Sequence, residues 1–172
     1  MKKAILILTL CATTLFSKSG GVDIGKLIAP SFSKNAKVTK KQFVLKGKAL
    51  SAIQNAAKAK VDSRTIRFYT VKSGNKVEGY AVLLLKTMRT KKAVVLYITD
   101  TKAKIKSIEI VAFQEPHEFK PKKSWQNTFK GKSKKDNLYA GKGIPTISGA
   151  TLSARGLADA SRIAIAVVER YR

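Results

Sequence analysis

The residues richest in chemical possibility lie in one run, Gly141-Lys142-Gly143-Ile144-Pro145-Thr146-Ile147-Ser148-Gly149-Ala150-Thr151-Leu152-Ser153. Gly149 and Ala150 are small enough to let a ligand approach the main chain. Hydroxyls at Ser148, Thr151 and Ser153 can bond phosphate oxygens or cap a helix, and Lys142 adds positive charge. Downstream, Leu157, Ala160, Ala164, Val167, Val168 and Tyr171 recur at helical spacing, a buried stripe about five turns long. A loop of small residues feeding a helix N-terminus presents unpaired N–H groups and the positive end of the dipole. That setting favours an anion, above all a phosphate. Plain capping by Thr151 or Ser153 accounts for the same residues, as it does in many such loops.

Three further residues carry chemistry. Glu115 stands at the end of a strand-like run, where it can contact a ligand or cap the strand. His117 is the only histidine and follows Pro116 in a polar stretch, which reads as an exposed loop side chain. Trp125 and Phe129 fall four residues apart, the spacing of a short helix that turns both rings into a core. One cysteine excludes a disulfide framework and any cysteine-built zinc or iron–sulfur site, and one histidine excludes most histidine-rich metal sites.

The elements that must position these residues are strands first and a helix last. Thr65–Lys72 alternates Ile66, Phe68 and Thr70 against Arg67, Tyr69 and Val71; Ser73-Gly74-Asn75 is a turn, and Lys76–Met88 a second strand. Lys92–Thr99 is a third strand. Lys104–Phe113 is a fourth, with Ile105, Ser107 and Glu109 opposite Lys106, Ile108 and Ile110. Short connections predict antiparallel neighbours. Residues 48–60 place Ala49, Leu50, Ile53, Ala56 and Ala57 on one helical stripe, and Lys122–Phe129 suits a short helix. The lysine-rich stretches Lys34–Lys48 and Lys120–Lys135 read as solvated loops or faces. The expected fold class is α+β: an antiparallel sheet of about four or more strands packed against a C-terminal amphipathic helix, with an N-terminal helical segment.

The chain has 172 residues, 35 Lys plus Arg against 10 Asp plus Glu, and a formal net charge of +25. A hydrophobic share of 44% excludes a disordered tail and is enough to build a core. Met1-Lys2-Lys3 precedes an apolar run over residues 4–16 and then small residues at Ser17, Ser19 and Gly20. That order predicts an export signal over 1–19, too short to span a bilayer by itself. Its removal takes Cys11 and three lysines. The remaining divisions are an N-terminal helical segment, 20–63, and a main domain, 64–172. Nucleic acid is not expected as a partner, because an export signal and the lack of an aromatic-basic recognition motif both oppose it. Without a cofactor the chain would be a basic module for anionic lipid or polymer.

The run Ser148-Gly149-Ala150-Thr151-Leu152-Ser153 resembles the S/T-G-A-T-x-S/T flavinylation motif of the FMN-binding domain family. That family includes the flavin-carrying subunits of sodium-pumping NADH:quinone reductases and many small exported redox proteins. Val77-Glu78-Gly79-Tyr80-Ala81 is similar to the family's glycine-bearing strand. Val111-Ala112-Phe113-Gln114-Glu115-Pro116 is similar to its Glu-(Thr)-Pro region, and Ser124–Lys132 to a W-x-x-x-F-x-G-K segment. The resemblance covers roughly residues 65–172 and implies FMN as cofactor. It implies that a flavin transferase joins the FMN phosphate to the hydroxyl of Thr151 as a phosphoester. Ser148, Gly149, Ala150, Leu152, Ser153 and Lys142 then line the phosphate end, and Glu115 and Trp125 lie towards the ring, with Tyr139 a further candidate to cover it. Pro145 stands where many members carry Asp. His117-Glu118-Phe119 replaces the glycines that follow Glu-Pro in pump subunits, so the implied role is a small stand-alone electron carrier. Acidic redox proteins and an anionic membrane surface are the expected partners of its positive charge, and the periplasm its expected compartment.

Overall fold

The computed structural model describes residues 22–172; the expected export signal lies outside them. These residues form seven strands and four α-helices. β1 (Lys37–Val44), β2 (Thr65–Ser73), β3 (Lys76–Thr87), β4 (Lys92–Asp100) and β5 (Ile105–Phe113) make one antiparallel meander in sequence order. β6 (Tyr139–Ala140) and β7 (Gly143–Ile144) form a separate two-residue parallel pair. The helices are α1 (Ile24–Ile28), α2 (Gly47–Ala57), α3 (Lys123–Gln126) and α4 (Thr151–Tyr171). The α+β expectation holds, with five strands in the main sheet. No helix among the described residues is long and apolar enough to cross a membrane.

Two cores lie on the two faces of the sheet. Ile66, Phe68, Tyr80, Val82, Val95 and Tyr97 bury one face under α2 and α4. The predicted stripe of α4 accounts for this, since Leu157, Ala160, Ala164, Val167 and Val168 are all essentially inaccessible. Tyr97 is fully buried, and its hydroxyl donates to the Leu157 carbonyl at 2.8 Å, which satisfies the one polar atom of the ring. Tyr69, Val71, Ala81, Leu83, Leu96 and Ile98 bury the other face under Ile28 and its neighbours in the N-terminal arm.

The structure corrects three local expectations. Strict alternation sets Ile105 and Ile108 on opposite faces of the fourth predicted strand, yet both lie in the α4-side core. The register explains it: Thr99 pairs with Ile105 and Ile98 with Ser107, so Lys106 is an extra residue in a bulge. The stretch Lys34–Lys48 is not loop throughout, because Lys37–Val44 pairs with β2 along its whole length. Its side chains are mostly exposed, so the solvated face is real, but it belongs to an edge strand studded with lysine. Residues 20–63, read as helical, therefore contribute a strand as well. The third correction, the capping of α4, belongs to the site.

Candidate functional site

The run Gly141–Ser153 folds as a chain of tight turns that ends in α4. Gly141 N–H donates to Ile144 O at 2.8 Å and Lys142 N–H to Tyr139 O at 2.9 Å, closing the turn that carries Lys142 into solvent. Ala150 N–H then donates to Ile147 O at 3.0 Å. Gly149, at φ +75°, is the third residue of that β-turn, a position that favours glycine for want of a Cβ. A Cβ built there meets nothing within 4 Å, so the space above the turn is open.

This turn decides how α4 begins. The N-cap is Ala150, whose methyl group accepts no hydrogen bond. The expectation of Thr151 or Ser153 as cap fails because the turn places both hydroxyls inside the helix. Thr151 Oγ1 donates back to Ile147 O at a long 3.4 Å, and Ser153 Oγ is buried with no partner. The N–H groups of Thr151, Leu152 and Ser153 therefore lack both an i−4 carbonyl and a side-chain acceptor. Ser148 and Gly149 are exposed, Thr151 is half-buried, and Leu152 is 48% exposed. The result is an uncapped, positively polarised helix end beneath an open surface, with a hydroxyl at its edge and an unused one beneath it.

The remaining predicted residues reach this loop to different degrees. Trp125 does so directly: its indole Nε1 donates to Pro145 O at 3.0 Å, and its ring meets Phe129 edge-on at 5.4 Å. The indole thus pins the loop six residues before Thr151, so core packing and loop positioning come from one side chain. Tyr139 is 38% exposed, with the Arg162 guanidinium 3.8 Å above its ring. His117 is exposed, as the sequence suggested.

Glu115 has a structural task. Its buried carboxylate accepts from the N–H groups of Arg89, Thr90 and Lys91 at 3.1, 2.6 and 2.7 Å. The Lys91 N–H foremost, with those of Thr90 and Arg89, holds the carboxyl below its ordinary range against the opposing effect of desolvation. Glu115 thereby ties the end of β5 to the tip of the β3–β4 hairpin. That hairpin also packs on α4 at Gly156, where a Cβ would lie 2.7 Å from Met88 Sδ.

Two residues here, Arg89 and Gly156, were not singled out from the sequence. Arg89 places its guanidinium 3.6 Å over the Phe119 ring, an aromatic–cation pair beside the Glu115-held hairpin. Gly156 lies inside the apolar stripe, and a glycine within a helix is the one signal that could have announced a close approach. Of the cations on these elements, Arg89, Lys91, Lys142 and Arg155 form no ion pair among the described residues.

Residues 89–166 match the family model of the FMN-binding domain. No curated protein matches the chain. The matched span runs from the hairpin tip through Glu115, Trp125 and the turn at Gly149 into α4. The match supports FMN as the cofactor and a flavin-binding protein as the general class. The residues present fit the group: three unsatisfied N–H groups, an open approach at Gly149 and an orphaned hydroxyl at Ser153 suit a phosphate monoester.

Proposed function

We propose that this protein is an exported electron carrier whose FMN is tethered through a phosphoester to Thr151. The observation that supports this most is the start of α4, where a threonine hydroxyl stands beside a helix end with nothing to cap it. The N–H groups of the first turn would hold phosphate oxygens, with the unpartnered Ser153 hydroxyl in the same turn as a further donor. Thr151 Oγ1 gives up only a 3.4 Å contact to do its part. The new bond forms between Thr151 Oγ1 and the flavin phosphorus, and the hydroxyl proton is lost. A flavin dinucleotide, presented by a flavin transferase, releases its nucleoside monophosphate as leaving group, so the protein gains one FMN less one water.

FMN, when bound, supplies one- and two-electron transfer. The chain holds and tunes it. Trp125 fixes the loop before the attachment residue, and the hairpin held by Glu115 presents Arg89 with Phe119. Uncommitted cations on these elements favour the electron-rich reduced ring. A covalent tether suits a protein that leaves the cytoplasm through the leader 1–19, because a free cofactor lost in the periplasm is not readily replaced. The lysines of β1 and the loops give acidic redox proteins, or an anionic membrane surface, something to dock on.

Production of residues 20–172 with and without a flavin transferase tests the reading. A band that fluoresces on a denaturing gel only with the transferase, and is lost in Thr151→Ala, is the expected result. A dark band from the wild-type protein in both cases overturns the tether.

A further inference from the structure

The β4–β5 turn, the segment 127–131 and the turn Ala29–Ser31 of the N-terminal arm enclose an open cleft of about 540 Å³. Lys104, Lys106 and Lys130 line it, and none of them forms an ion pair among the described residues. Its one acid, Asp100, is tied down: its Oδ1 accepts from the N–H groups of Lys102 and Lys104 at 2.8 and 2.9 Å. The bulge at Lys106 helps to build the lining. A regular strand would send Lys106 and Ser107 to opposite faces. Here Lys106 Nζ stands 4.5 Å over the Phe32 ring and Ser107 Oγ lies 3.5 Å from Ser31 Oγ, so both meet the same arm. Three ammonium groups and two hydroxyls around one engaged carboxylate make a seat for a phosphate.

The place of the cleft in the fold bears on what carries that phosphate. α4 begins beside the β3–β4 hairpin, with Gly156 against Met88. It ends where the Arg172 guanidinium donates to Thr101 O at 2.9 Å, in the β4–β5 turn. Its 21 residues span about 30 Å. A redox protein seated in the cleft would be held off from Thr151 by that length, so the charge here is poorly placed to serve electron transfer. Lys102 in the turn, and Lys132, whose carbonyl accepts from Ile105 N–H at 2.9 Å, extend the positive surface at this end. A bilayer with anionic headgroups meets such a surface at several points at once and leaves the start of α4 facing away.

We propose that this cleft takes the phosphate of an anionic membrane lipid and seats the protein on the bilayer by the end opposite Thr151. What that orientation frees rests on the flavin reading above; the binding itself does not.

The test is flotation of residues 20–172, without flavin, on vesicles of phosphatidylcholine alone and mixed with phosphatidylglycerol. The mixture should bind far more protein. Each lysine at an anionic surface is worth about fivefold, so Lys104→Gln, Lys106→Gln and Lys130→Gln together should weaken binding about a hundredfold. Lys46→Gln, Lys48→Gln and Lys58→Gln remove the same charge around α2, on the other face of the sheet, and should weaken it less than about fivefold. No preference for the anionic vesicles, or equal losses in the two triple variants, overturns the proposal and leaves the flavin reading intact. Loss of binding to a polyglutamate resin in the cleft variant, with vesicle binding unchanged, assigns the cleft to an acidic protein and likewise overturns it. In flavin-loaded protein, iodide should quench FMN fluorescence as well on vesicles as in solution; shielding by the vesicles overturns the orientation. Protein that takes up no flavin overturns the reading of Thr151 and leaves the vesicle result standing.

Discussion

Gly156→Ala sets two effects of known sign against each other at the junction of α4 and the β3–β4 hairpin. In an exposed helix interior, replacing glycine by alanine gains about 1 kcal/mol of stability from helix propensity. Here the new Cβ would lie 2.7 Å from Met88 Sδ, 3.3 Å from Met88 Cα and 3.4 Å from Thr87 O. Met88 is buried, so its thioether cannot simply swing into solvent. Overpacking of this kind costs about 1–3 kcal/mol, and the low end is cancelled by propensity. The expected net effect is a destabilisation of about 1 kcal/mol, a fall in Tm of about 2–4 °C for a domain of this size. Urea denaturation of four proteins decides it: wild type, Gly156→Ala, Met88→Ala and the double variant. With Met88 truncated the 2.7 Å clash is gone and only the tight backbone approaches to Met88 Cα and Thr87 O remain, so the same Gly156→Ala change should cost clearly less or turn stabilising. A gain of stability in both backgrounds would refute the close packing of hairpin on helix, and with it the route by which Glu115 and Arg89 are placed near the motif.

Three other outcomes follow from single contacts. Trp125→Phe keeps the ring packing on Phe129 but loses the bond to Pro145 O, so global stability should fall by no more than about 1 kcal/mol. Hydrogen exchange across residues 141–150 should rise and flavin loading should slow. Ser153→Ala removes no hydrogen bond from the flavin-free protein, so its Tm should be unchanged or higher, while loaded protein should lose about 1 kcal/mol of the extra stability that flavin gives the wild type. Glu115→Gln tests a pH window. A carboxyl held below its ordinary value of about 4.5 contributes stability in full above that pH and loses it as pH falls through its lowered value. The gap between wild type and variant should therefore be flat near neutral pH and close in acid; a gap that widens in acid contradicts the three N–H contacts.

Much of the fold was legible because its signals are local. The stripe Leu157 to Tyr171 is a helix and is buried as the spacing requires. The alternations of β2 and β4 needed only a neighbouring sheet face. What escaped the sequence depends on partners distant along the chain. The bulge at Lys106 exists because β4 sets the register of β5, and no pattern within residues 104–113 reveals it. The strand Lys37–Val44 is mostly polar and exposed, with only Val38 and Phe43 packed against the cores, and it takes its place by pairing along the edge of β2. The run Gly141–Ser153 does lead into a helix as its residues suggest, but its geometry inverted one expectation. The hydroxyls that look like caps are not caps, because a left-handed Gly149 delivers Ala150 to the cap position. Glu115 was open between ligand and strand end, and three backbone donors on a hairpin 24 to 26 residues earlier give it a clasp's task that the local sequence does not reveal.

The central claim is that Thr151 carries the flavin. Trypsin cutting after Lys142 and Arg155 releases residues 143–155, which hold Thr146, Ser148, Thr151 and Ser153 as the possible acceptors. Tandem mass spectrometry of that peptide, from protein made with a flavin transferase, should find one FMN less one water on Thr151 alone. An unmodified peptide from yellow protein, or an adduct on Thr146, Ser148 or Ser153, contradicts the account.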